Sequence, residues 1–170
     1  MNGRVILVDR EDKKIGSEDK LKAHRSGKMH RAFSVLVFNS RREMLLQKRA
    51  KGKYHSGGLW TNACCSHPRP GERILSAAKR RLGEEMGFTC ALKKAFSFHY
   101  CAKLDNGMTE NEYDHVLRGE FNGDPVPNPD EAEDWKWMNW RELKKDISRN
   151  PRRYTYWFKI VVEKLDGSKK

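Results

Sequence analysis

The sequence predicts an α/β sandwich built on a mixed, largely antiparallel sheet, and three stretches carry that expectation. Ala32 to Phe38 is a near-continuous apolar run of strand length, the pattern of a strand buried on both faces. Asp105-Asn106-Gly107 separates two strand-like runs, Ala95 to Lys103 and Met108 to Phe121, and Asn-Gly in that position is a strong hairpin signal. Between these stretches, Glu72 to Met86 places Ile74, Leu75, Ala78, Leu82 and Met86 at helical spacing with charges between them. One face of such a helix must cover a sheet.

In chain order, Val5 to Val8 and the Asp9-Arg10-Glu11-Asp12 that follows read as a short strand and turn. Ser17 is placed to cap a brief helix carrying Leu21 and Ala23, which Ser26-Gly27 ends. Asn39 to Arg42 turns the buried strand into Met44-Leu45-Leu46, its hairpin partner. From Lys51 to Gly71 the chain is broken by Gly, Pro, Ser and His, and irregular segments of this kind carry sites more often than packing. Gly87 stops the long helix. After the hairpin, Asn122 to Asp134 reads as a surface loop, Trp135 to Met138 as a strand, and Trp140 to Ser148 and Tyr154 to Leu165 as closing helices. No internal repeat or second core interrupts the pattern, so residues 1–170 are expected to form one domain.

Composition narrows the function classes. Hydrophobic residues make up 37% and charged residues 34% of the chain, too many of the former for disorder. The net charge of +12 suits nucleic acid, an anionic surface or a small polyanion, but the basic clusters Arg41-Arg42, Lys48 to Lys53, Lys79 to Arg81 and Pro151 to Arg153 are short and separate. They form no continuous stripe, and no nucleic-acid-binding motif accompanies them. No apolar stretch approaches the ~18 residues that span a bilayer, and the opening MNGRVILVDREDKK is expected to be neither signal peptide nor anchor. Cys64, Cys65, Cys90 and Cys101 lack CxxC spacing, which favours reduced thiols and a cytoplasmic setting.

Two groups of residues could carry chemistry. His24, His30, His67, Glu110 and Glu112 are possible metal ligands. Glu110 and Glu112, two apart on a strand, project from one face, and Asp114 shares that parity; an exposed acidic strand face is the plain alternative. The second group is the helix with its leading turn, ending Arg80-Arg81-Leu82-Gly83-Glu84-Glu85-Met86-Gly87. It resembles the box of the Nudix family, whose clustered carboxylates hold divalent metal against a diphosphate. Two departures stand out: Ser66 occupies the place of the opening glycine, and Arg81 that of the carboxylate after the first arginine. Arg81 is either a phosphate-binding cation or the partner of Glu85 in a helix-surface ion pair.

Together with Asn62-Ala63-Cys64-Cys65-Ser66-His67-Pro68, Thr109-Glu110-Asn111-Glu112, Gly58 to Asn62 and the His24 to Ser34 stretch HRSGKMHRAFS, this helix resembles the type 1 isopentenyl-diphosphate isomerases, a Nudix-like family. The likeness runs from about Lys20 to Trp157 and implies a Nudix-like α/β/α sandwich. It implies Cys65 and Glu112 as the catalytic pair with Tyr100 as a supporting hydroxyl. His24, His30, His67, Glu110 and Glu112 would bind one divalent metal, Mn2+, Zn2+ or Mg2+, and Glu85 a diphosphate-bridging Mg2+. Lys20, Arg49, Lys53 and Arg81 would grip the diphosphate, and Trp157 would face the hydrocarbon. His55, His99 and His115 receive no role.

Moving the double bond requires a proton added to the terminal alkene carbon and another removed from the neighbouring methylene, through a tertiary, cation-like state. Glu112 with Tyr100 is expected to move one proton and Cys65, as a thiolate, the other. The expected partners are a small C5 diphosphate, no specific nucleic acid and no membrane, with the chain a monomer or weak homodimer. A Nudix hydrolase of nucleoside diphosphate derivatives is the chief rival, opposed by Arg81 and by the cysteine loop. A nucleic-acid-binding module is the other.

Overall fold

Strand pairing begins at the first described residues and explains most of the architecture. The computed structural model of the protein describes residues 3–104 and 106–167. Among the described residues, the strands are β1 (Arg4–Val8), β2 (Lys14–Asp19), β3 (His30–Phe38), β4 (Glu43–Arg49), β5 (Trp60–Asn62), β6 (Cys64–Ser66), β7 (Leu92–Lys103), β8 (Thr109–Glu120) and β9 (Ala132–Asn139). The α-helices are α1 (Lys20–Ser26), α2 (Ile74–Met86), α3 (Trp140–Arg149) and α4 (Tyr156–Gly167). The strands join in one sheet in which β3 and β8 run parallel and the other strand pairs antiparallel, the mixed, largely antiparallel sheet expected.

The apolar β3 is central and has helices over both its faces. Phe33, Val35 and Val37 pack with Leu45, Leu117 and the apolar stripe of α2, namely Ala77, Ala78, Leu82 and Met86. Leu36, on the other face, joins Met44, Leu46, Phe98 and Val116 under α3 and α4 through Leu143, Phe158, Val161 and Val162. This is an α/β/α sandwich. Leu82 is completely buried, so truncating it to alanine would cost about 2–5 kcal/mol. Gly87 ends α2 at φ 73°, and a Cβ there would lie 2.4 Å from the Val126 carbonyl oxygen, so both conformation and space demand glycine.

Several element edges differ from the expectation. Ser17 does not cap α1: β2 stays paired with β1 as far as Asp19 opposite Arg4, so the cap passes to Asp19, whose carboxylate accepts from the Lys22 N–H at 3.0 Å. Residues 51–71 are irregular only in part, because β5 and β6 lie within them. Trp135 to Met138 extends at both ends into β9, an antiparallel neighbour of β4. The last helix starts at Tyr156, since Pro151–Arg153 form a 3-10 turn and Tyr154 bridges to Trp60. In the β7–β8 hairpin Asp105 lies outside the described residues; Gly107 takes φ 76° and Leu104 N–H donates to Met108 O at 2.8 Å.

Candidate active site

Register across three strands assembles one end of a cavity. β3 sets His30 beside Glu112 of β8, and β7 sets Tyr100 on the other side of the same glutamate. Residues in register share a face, so Tyr100, Glu112 and His30 form a row across the sheet. Glu110, two residues earlier on β8, keeps that face. β6 pairs Cys65 with Ser34 of β3. Lys20 and His24 come from α1, and Trp157 from α4. The cavity has a volume of about 40 Å³.

The Nδ1 atoms of His24 and His30 lie 2.7 and 2.8 Å from the carbonyl oxygens of Lys20 and Lys28. A carbonyl only accepts, so both rings carry hydrogen on Nδ1 and present a bare lone pair at Nε2. Both Nε2 atoms are buried without a hydrogen-bond partner. They face carboxylates: His24 Nε2 lies 3.7 Å from Glu110 Oε1, His30 Nε2 3.4 Å from Glu112 Oε1, and His67 Nε2 2.7 Å from the same Glu112 oxygen. Donor atoms of His24, His30, His67 and Glu112 all lie within 4.8 Å of one another. Lone pairs converging on carboxylates form a divalent-cation donor set, and these residues fit such an ion.

Burial pushes His24 and His67 below the usual histidine range, which keeps them neutral and able to ligate. At His30 the same burial is outweighed by Glu112 and the shift is upward. Burial likewise opposes ionisation of Glu112, but His30 beside it prevails and its value falls to about 2. Tyr100 donates to Glu112 Oε2 at 2.7 Å and to Glu110 Oε2 at 3.3 Å; burial and the two carboxylates push it well above the ordinary phenol range. It remains a donor across neutral pH.

The other end of the cavity is cationic. Lys20, Arg49, Lys53 and Arg81 all line it. Arg81 donates to Glu85 at 2.8 Å and to Glu131 at 2.9 Å, and Lys53 also bonds Glu131. Gln47 holds the second oxygen of Glu85 at 2.9 Å. Arg81 thus makes the ion pair with Glu85 and also stands in the cavity wall. Arg49 and Arg81 each keep a buried Nε without a partner. Clustered cations with spare N–H groups make an anion receptor.

Cys65 lines the same cavity. Its thiol donates to Asn62 Oδ1 at 2.9 Å and accepts from the Trp157 indole N–H at 3.0 Å. Ser34 Oγ lies 3.5 Å from the sulfur and donates to Asp114 Oδ2 at 2.7 Å. Burial, with Asp114 next in effect, pushes the thiol up to about 12. That burial works against the thiolate expected at Cys65. Asp114 is itself pushed up to about 8, by burial and then by Glu112.

Residues 28–158 match the NUDIX domain family. Isopentenyl-diphosphate Delta-isomerase 1 of Aromatoleum aromaticum is 53% identical over 165 residues, covering 97% of this chain and 93% of its own length. The chain belongs to the NUDIX isopentenyl-diphosphate Delta-isomerases. Isopentenyl-diphosphate Delta-isomerase 2 of Photorhabdus laumondii is 52% identical over 165 residues, with 97% and 93% covered. A crystal structure of a Deinococcus radiodurans protein shares the fold at a TM-score of 0.73, with 18% identity, over 86% of this chain and 90% of that one.

Within this family member, the site residues read from the sequence converge. Lys20, Arg49, Lys53, Cys65, His67, Arg81, Glu85, Tyr100, Glu110, Glu112 and Trp157 line the cavity, while His24 and His30 sit fully buried behind it. Glu110 stands apart from the close group of His24, His30, His67 and Glu112, and clusters with His24 and His55. Missed by sequence reasoning were His55, Gln47, Glu131 and Ser34. Of these, His55 gave a signal, standing in the segment marked as functional; Glu131 lies in a loop read only as surface. His115 pairs with Asp12 at 2.8 Å and His99 with Asn111 at 2.8 Å, on no part of the cavity wall.

Proposed function

We propose that the chain interconverts isopentenyl diphosphate and dimethylallyl diphosphate, a step of isoprenoid biosynthesis, with Cys65 and Glu112 moving the protons. The observation that carries this reading is that one cavity joins two proton-transfer groups, the Cys65 thiol and the Tyr100–Glu112 pair, to four cations. Hydrolysis needs no thiol there. In the isomerisation, a proton bonds to the terminal alkene carbon using the double-bond electrons, and the neighbouring methylene loses a proton whose C–H electrons form the new double bond. One group gives and the other takes.

Each side chain has a part. Tyr100 holds Glu112 and can pass a proton to or from its carboxylate. Asn62 and the Trp157 indole N–H fix the Cys65 sulfur from two sides. The Trp157 face stabilises the cation-like carbon by about 2 kcal/mol once water is excluded. Lys20, Arg49, Lys53 and Arg81 grip the diphosphate. His24, His30, His67, Glu110 and Glu112 would hold one divalent ion, Mn2+, Zn2+ or Mg2+, and Glu85 a Mg2+, and these would supply positive charge to organise the carboxylates and neutralise phosphate.

This reading includes a chain that acts as one domain over residues 1–170, as a monomer or weak homodimer, in the cytoplasm. Four free cysteines support it. Among the described residues no helix is long and apolar enough to cross a membrane. The test is incubation of purified protein with isopentenyl diphosphate, Mg2+ and trace Mn2+. An acid-labile allylic product that chelator abolishes is expected. Phosphate release from nucleoside diphosphates without that product would replace the isomerase with a hydrolase.

A further inference from the structure

Four histidines, not three, surround the carboxylates, and the fourth is chemically different. His55 comes from the irregular segment between β4 and β5 and is buried, with Nε2 2.8 Å from Glu110 Oε1. Its ring stacks at 5.9 Å on His24 and meets Tyr54 and Trp157 edge-on at 4.3 and 5.7 Å. The backbone that carries it is tightly fixed: Arg49 donates to the His55 carbonyl at 3.1 Å, and Gly57 packs so closely that a Cβ would stand 2.5 Å from the Lys51 oxygen. His24, His55 and Glu110 have donor atoms within 4.8 Å of one another, a group that shares His24 with the four-residue cluster.

The Nδ1 partners differ between the histidines. His24 and His30 face carbonyls through Nδ1 and therefore offer lone pairs at Nε2. His55 Nδ1 faces the Ser56 hydroxyl at 3.2 Å, and a hydroxyl can donate. With hydrogen on Nε2, His55 satisfies both neighbours, accepting from Ser56 and donating to Glu110. We infer that His55 is a positioning residue of the metal centre: it donates to Glu110 and holds that carboxylate at the edge of the ion's donor set. Carboxylates that ligate metal are commonly held this way, and loss of such a partner costs about 10- to 100-fold in metal affinity.

The inference rests on the divalent-ion reading of the His/Glu cluster, and Mn2+ binding tests the two separately. Mn2+ affinity is measured by the loss of the free-ion EPR signal in wild type, His55→Ala, His55→Gln, Glu110→Gln and the His55→Ala/Glu110→Gln double variant, with circular dichroism confirming the fold. His55→Ala should bind Mn2+ about 10- to 100-fold more weakly. His55→Gln, whose amide can still donate to Glu110, should recover part of that loss. In the Glu110→Gln background the His55→Ala change should cost little. Pulsed EPR should count three ligating nitrogens with and without His55. Unchanged affinity in folded His55→Ala, or a count that falls from four to three, overturns the inference. No Mn2+ binding by wild type removes the metal centre itself and the inference with it.

Discussion

The two ends of the cavity are built on different principles. At the His/Glu end, Tyr100, Glu112 and His30 stand in register on three hydrogen-bonded strands, so their spacing is a property of the sheet and changes only if the sheet does. At the cationic end, Lys53 comes from an irregular segment, Arg81 from α2 and Glu131 from the loop before β9. Backbone hydrogen bonds tie these segments, Ala50 N–H to Glu131 O at 3.0 Å and Asn128 N–H to Glu85 O at 2.9 Å, but the charged side chains themselves meet through ion pairs. Proton transfer tolerates errors of a fraction of an ångström poorly, whereas a diphosphate can be gripped by cations that adjust. The division suits one end to chemistry and the other to binding.

The largest effects should come from breaking the sheet-built end. Glu112→Gln and Cys65→Ser should each lower kcat by about 10²- to 10⁴-fold while substrate affinity, read by direct binding, changes little. Cys64→Ala is the control: Cys64 is buried in the core beneath α2, with Ala77 and Leu82, and near-wild-type turnover is expected. A rise in KM with kcat preserved in either catalytic variant would remove the distinction between the ends.

At the adjustable end the signature should reverse. Arg81→Met removes the donor to Glu85 and Glu131 and, at about 1.5–3 kcal/mol per charged hydrogen bond, should raise KM about 10- to 100-fold with a smaller change in kcat. Steady-state kinetics over a range of diphosphate concentrations separates the two. If kcat falls as far as in Glu112→Gln, Arg81 belongs with the chemistry.

How much of this was legible in the sequence follows the same division. The parity of Glu110, Glu112 and Asp114 was readable because side chains alternate on a strand, and the stripe of α2 because 3.6-residue periodicity shows in the order of residues. That the row includes Tyr100 depends on the β7–β8 register, which a residue string contains only through its Asn-Gly turn; there the family resemblance supplied the residue. His55 and Glu131 were missed because their roles arise from contacts across 55 and 50 or more positions, His55 to Glu110 and Glu131 to Arg81. Nothing local marks such pairs. For a related reason the sequence did not show what raises the proton affinity of Cys65, namely burial and the approach of Asp114 from β8.

A pH titration sharpens the contrast further. Lys20 is held down to about 8 from 10.5, by burial first and then by Lys53, Arg81 and Arg49. Because the folded value lies below the unfolded one, the unfolded chain binds more protons between about 8 and 10.5. The stability linked to Lys20 is thus fully present only above 10.5 and is lost as pH falls to about 8. For binding the sign is opposite, since a charged Lys20 grips the anion: KM should climb as pH rises through about 8. Lys20→Arg stays charged and should flatten that climb, with kcat following its own profile. A climb identical in Lys20→Arg would assign it to another group.

The smallest expected effect concerns how α1 brings Lys20 and His24 to the two ends. Sequence alone pointed to Ser17 as the cap, yet the Asp19 carboxylate accepts the Lys22 N–H at 3.0 Å, while the Ser17 hydroxyl accepts from Arg4 at 2.9 Å across the β1–β2 pair. Asp19→Ala should therefore cost about 1 kcal/mol in denaturant unfolding, and Ser17→Ala, at an exposed contact, less than half of that. Because α1 supplies a group to each end, loss of its cap should raise KM and weaken metal binding together, each by a few-fold. If Ser17→Ala proves the more damaging change, the edge strand β2 matters more to the placement of α1 than its cap does, and Lys20 and His24 are positioned by the sheet after all.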